Sequence, residues 1–75
     1  MVAAMQLTAE EVRSRVSELV RARGEPGGDR SRIVEAALFV EEVFGLRLAD
    51  EEMTEASLGR EADICRIVLD HLGRR

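Results

Sequence analysis

Seventy-five residues suffice for one domain. A chain this short buries only about 60–65% of its unfolded surface, so its core is thin and encloses no deep pocket; that argues against a self-contained enzyme and for an interaction or carrier module. A composition that is 45% hydrophobic with a single proline excludes an intrinsically disordered chain.

The net charge of −4 is concentrated in one stretch: residues 29–55 hold eight acids and three arginines, whereas 1–28 are neutral overall and 56–75 carry +1. A negative centre opposes nucleic acid, whose phosphates need clustered bases. It favours a protein partner with a basic face.

Residues 1–6 read as a loose leader. A helix is predicted over about 8–23. Thr8 caps it, Glu11 stands three residues on to close a capping box, and Leu7 is placed to staple onto Val12. Val12, Val16, Leu19 and Val20 form one apolar stripe, and Glu11 and Arg15 are spaced to pair on the wet side. Gly24-Glu25-Pro26-Gly27-Gly28 then breaks the helix. So short a connection predicts that the helices it joins are antiparallel neighbours.

The second helix is predicted over about 30–44, with Asp29 as its N-cap. Ile33, Val34, Ala37, Leu38, Val40 and Phe44 are assigned to the inside, while Glu35, Glu41 and Glu42 mark the wet side. Phe39 and Val43 are left over. A helix apolar over so much of its circumference is either central or keeps a patch for a partner. One version of that patch is a two-fold contact through Phe39 and Val43, although a monomer is the expected state. Gly45 ends the helix in the left-handed conformation, with Leu46 packing back on it.

Asp50 is predicted to cap a short turn through Glu51-Glu52-Met53, followed by a connector over 54–59. A last helix over about 60–72 places Ile64, Ile67, Val68 and Leu72 inside, and Gly73 stops it. The expected fold is therefore all-α: a single domain of three main helices with a short helix near 50–56.

No catalytic or metal-binding constellation is visible. His71 has no Cys or His at ligand spacing and reads as a packing or surface histidine at the negative end of its helix. Neighbouring acids such as Glu41 and Glu42 point about 100° apart on a helix and do not chelate together. The single cysteine, Cys65, forms no internal disulfide and reads as a small buried hydrophobe. There is no apolar run long enough for a signal peptide or membrane span, so a cytoplasmic protein that makes no membrane contact is expected.

One pattern runs through the centre and tail of the chain. It comprises Asp29, Val34-Glu35, Leu38, Glu41-Glu42, Phe44-Gly45, Leu46, Leu48 and Asp50-Glu51, then Met53-Thr54-Glu55, Leu58-Gly59, Ile64 and Ile67-Val68. Over residues 28–72 this resembles the acyl carrier proteins, small helical proteins that carry acyl groups as thioesters. The resemblance implies a 4′-phosphopantetheine arm, joined by a phosphodiester to a serine at the start of helix II. It implies docking on biosynthetic enzymes with basic faces through Asp29, Glu35, Leu38, Glu41 and Glu42. It also implies a phosphopantetheinyl transferase as a partner. Such a protein presents a tethered substrate in fatty-acid, polyketide or related biosynthesis and catalyses nothing itself.

Two departures from that family stand out. Five or six residues join the first two helices where the family has a long loop. The family's serine directly follows the Asp, and here that position is Arg30; Ser31 comes one place later, between Arg30 and Arg32. Ser31 is accordingly the candidate attachment residue, at a helix N-terminus whose free N–H groups and dipole accommodate a phosphate. The alternative is a carrier fold without the arm, acting as a protein-binding or regulatory subunit through the same acidic helix.

Overall fold

The structure, a computed structural model, describes residues 7–74. The leader expected at 1–6 lies outside the described residues. Four α-helices, α1 (Ala9–Arg23), α2 (Arg30–Phe44), α3 (Glu55–Leu58) and α4 (Glu61–Gly73), form a small bundle, with a 3-10 turn at Asp50–Glu52. There is no strand among the described residues.

Helix α1 begins as its sequence dictates. Glu11 N–H donates to Thr8 Oγ1 at 3.1 Å, and Thr8 N–H donates to Glu11 Oε1 at 3.1 Å. That reciprocal pair satisfies two backbone donors that would otherwise have no intrahelical partner. It also commits the Glu11 carboxylate to the cap, and no Glu11–Arg15 ion pair forms. Val12 and Val16 are fully buried, with Leu7, Leu19 and Val20 packed against the core.

The connector after α1 is pinned to the far end of the chain. Gly27 N–H donates to the Gly59 carbonyl at 2.8 Å, and Glu25 Oε2 accepts from Glu61 N–H at 2.9 Å. The closest backbone packing of α1 is against α4, not against α2 as the short connector suggested. A short link constrains the distance between helix ends and not which helix lies alongside; the link's own bonds to residues 59 and 61 hold it against the start of α4.

Helix α2 buries four of the six residues expected inside, Ile33, Ala37, Val40 and Phe44, and departs from expectation at Val34 and Leu38. Ile33, Ala36, Ala37, Val40 and Phe44 are buried, whereas Val34 and Leu38 are 40% and 59% exposed. The buried set follows the three- and four-residue spacing of one stripe, and Val34 and Leu38 stand about 100° away from Ile33 and Ala37. The stripe centres on Ala36 and Ala37, which are buried, rather than on the larger Leu38. Phe39 is half-buried and meets Phe44 edge-on, with centroids 6.3 Å apart and planes at 82°. Gly45 ends the helix at φ 67° and ψ 37°, the left-handed geometry expected of it.

Beyond α2, Leu48 is buried and its N–H donates to Glu41 Oε2 at 2.9 Å. Asp50 is the first residue of the 3-10 turn and not its cap; the turn is closed by Glu52 Oε1, which accepts from Ala49 N–H at 2.8 Å. The stretch expected as a connector contains α3, which starts where Thr54 Oγ1 accepts from Ser57 N–H at 3.2 Å. Its Leu58 is fully buried. In α4, Ile64, Cys65, Ile67 and Val68 are buried and Leu72 packs against them. Gly73 is the last residue of α4 and has no positive φ, so the helix runs one residue beyond the predicted stop.

Candidate functional site

The N-terminus of α2 is organised by one carboxylate. Asp29 Oδ1 accepts from Ser31 N–H at 3.0 Å, from Ser31 Oγ–H at 3.0 Å and from Arg32 N–H at 3.3 Å. These bonds hold the Asp29 carboxyl below its ordinary range, the Ser31 hydroxyl contributing most and the Arg32 N–H next. Ser31 is exposed, and its oxygen keeps lone pairs toward solvent while its proton is directed at Asp29. Arg30, in the position where the resemblance expects serine, is also exposed.

The other residues assigned to docking lie along the outward side of the same helix, but their carboxylates are unequally available. Glu35 is half-exposed and ion-paired with Arg23 of α1. Glu41 is tied to the Leu48 backbone. Glu42 is exposed and has no ion-pair partner among the described residues. Leu38 is the most exposed large apolar side chain described, and Val34 stands one turn before it. The structure thus brings Ser31, Val34, Leu38 and Glu42 onto one open face, while Asp29, Glu35 and Glu41 serve the local fold as well. Val34 was missed because its apolar character assigned it to the core; its four-residue spacing from Leu38 is the signal that joins the two.

A second polar pair lies elsewhere. His71 Nε2 is 2.8 Å from Glu52 Oε2, and both side chains are mostly buried. The Glu52 carboxyl is held below its ordinary value, first by the Ala49 N–H, against the opposing effect of burial, and then by His71. The pair joins the 3-10 turn to the last turn of α4. An open groove of ≈ 670 Å³ runs beside α4, lined by Arg13, Cys65, Arg66 and Leu69 among others. Burial, and then the nearby Glu61 charge, push the Cys65 thiol up, which leaves it a poor nucleophile.

Among the described residues no group of three or more His, Cys, Asp or Glu side chains is arranged to hold a metal ion. No described helix is long and apolar enough to cross a membrane. No family model, no curated protein and no solved structure matches the chain.

Proposed function

We propose that this is a cytoplasmic carrier-type protein, which holds an acyl group on a 4′-phosphopantetheine arm at Ser31 and offers it to biosynthetic enzymes through the outward face of α2. The observation that carries this reading is the shared exposure of Ser31 and Leu38 on one face. The attachment oxygen stands at the helix mouth and an apolar anchor for a partner stands two turns along. Two further features favour it. The dipole of the α2 N-terminus favours an anion at its mouth, where the Ser31 and Arg32 N–H groups are already bonded to the Asp29 carboxylate, and Arg30 and Arg32 flank Ser31 with positive charge. The protein presents a substrate and performs no chemistry of its own.

Incubation with coenzyme A and a permissive phosphopantetheinyl transferase is the direct test. Intact mass is expected to rise by one phosphopantetheine, and Ser31→Ala to abolish the rise. Folded protein left unmodified by an active transferase defeats the reading.

One observation favours an armless version. Arg30 occupies the place directly after Asp29, and a guanidinium accepts no phosphodiester. In that version the same face binds an enzyme as a regulatory subunit. Ser31→Ala then leaves binding unchanged, while Leu38→Asp and Glu42→Arg weaken it at low salt.

A further inference from the structure

Arg30, Val34, Leu38 and Glu42 follow one another at intervals of four and so form one ridge of α2. All four are exposed. Neither Arg30 nor Glu42 has an ion-pair partner among the described residues. Read along the helix, the ridge is basic, apolar, apolar, acidic. Reversed, it is complementary to itself.

We infer that this ridge pairs with the same ridge of a second copy of the chain, antiparallel, about a two-fold axis at the level of Ala36. In that arrangement Val34 meets Leu38 of the second copy and Leu38 meets its Val34. Arg30 faces Glu42 at one end and Glu42 faces Arg30 at the other. The two sequence positions in every pair are equidistant from Ala36, as an isologous contact requires. Ridges of this spacing interdigitate when helices cross at about −50°. The contact uses Val34 and Leu38, whereas Phe39 is turned partly inward against Phe44.

Charge favours this occupant at both ends of the ridge: a second copy brings Glu42 to Arg30 and Arg30 to Glu42, neither of them ion-paired among the described residues. A single helix crossing buries less than the ~1,600 Å² of a standard interface, so the association is expected to be weak and to fall as salt screens the end pairs. The inference rests on the ridge and not on an arm at Ser31. It occupies the face used in the proposed docking, so self-association and docking exclude one another. Sedimentation reports on the ridge and coenzyme A loading reports on Ser31, so failure of either is distinguishable from failure of the other.

The test is sedimentation velocity on the whole chain, from micromolar to millimolar concentration at low salt. The wild type is expected to shift from monomer toward dimer. Arg30→Glu alone and Glu42→Arg alone each place like charges at both ends and are expected to stay monomeric. An equimolar mixture of the two variants restores opposite charges at both ends, and association is expected to return. A wild type that remains monomeric throughout overturns the inference. So does a mixture that stays monomeric while the wild type dimerises, or single variants that associate as the wild type does.

Discussion

Glu25 Oε2 lies 2.9 Å from the backbone nitrogen of Glu61 and accepts its hydrogen bond across 36 residues of sequence. The first turn of α4 has free N–H groups, and Arg60 at its N-cap supplies no side-chain bond. The connector after α1 therefore caps a helix with which it has no local relation. The carboxylate also places negative charge at the positive end of the α4 dipole. Glu25→Ala is expected to cost about 1 kcal/mol, the usual loss for a removed cap. Chemical denaturation measures this, and amide exchange at Glu61 should accelerate with it. Glu25→Gln keeps an acceptor oxygen and is expected to lose less.

Gly59 sits in the same junction. It has φ −74°, a conformation open to any residue, so backbone freedom does not explain it. Space does: a Cβ built there would lie 2.5 Å from the Glu55 carbonyl oxygen and 3.1 Å from that of Gly27. Neither oxygen swings away as a side chain would, and the Gly27 N–H is bonded to Gly59 itself. Gly59→Ala is expected to destabilise by about 2–3 kcal/mol, in the range of an overpacked core site. Gly27→Ala meets nothing within 4 Å but must hold φ +57°, so it is expected to cost only about 1 kcal/mol. Thermal unfolding of the two variants separates crowding from backbone strain.

The Glu52–His71 contact predicts a pH dependence of definite sign. Glu52 has a folded pKa below its ordinary 4.5, so the unfolded chain binds the proton more readily. The stability this carboxylate contributes is complete above about 4.5 and is lost as pH falls through the lower folded value. Glu52→Gln is expected to lose roughly 1 kcal/mol at neutral pH, or ~4–8 °C in Tm. The gap between variant and wild type should close as the buffer is taken below that range. A gap that persists unchanged into acid would mean that the charge of Glu52 contributes nothing.

What was legible in the sequence was what the chain determines locally. The Thr8–Glu11 box, the Asp29 cap and the Gly45 stop each need only three or four residues in register, and each is present. The tertiary choices were not legible. Nothing near Glu25 indicates that it caps residue 61, and nothing local indicates that α1 packs most extensively against α4. The connector over 54–59 concealed a one-turn helix because its only signals are the Thr54 cap and a single buried Leu58. On α2, hydrophobicity drew Val34 and Leu38 inward, while the small Ala36 that faces the core carries almost no apolar signal. The candidate site inherits that error: its apolar anchor was assigned both to the core and, through the resemblance, to a docking face.

Leu38 and Val40 decide between those two roles. They are two residues apart on α2, yet Leu38 is 59% exposed and Val40 is 0% exposed. Truncating Val40 leaves a cavity in the buried cluster to which it belongs, so Val40→Ala is expected to cost about 2 kcal/mol. Truncating Leu38 removes area already in water, so Leu38→Ala is expected to change stability by no more than about 0.5 kcal/mol. If Leu38 anchors a contact, whether with an enzyme or with a second copy, that same silent variant should weaken association. A pair of urea titrations and one sedimentation series test this together. A large loss of stability in Leu38→Ala would return Leu38 to the core and remove the anchor from the α2 face.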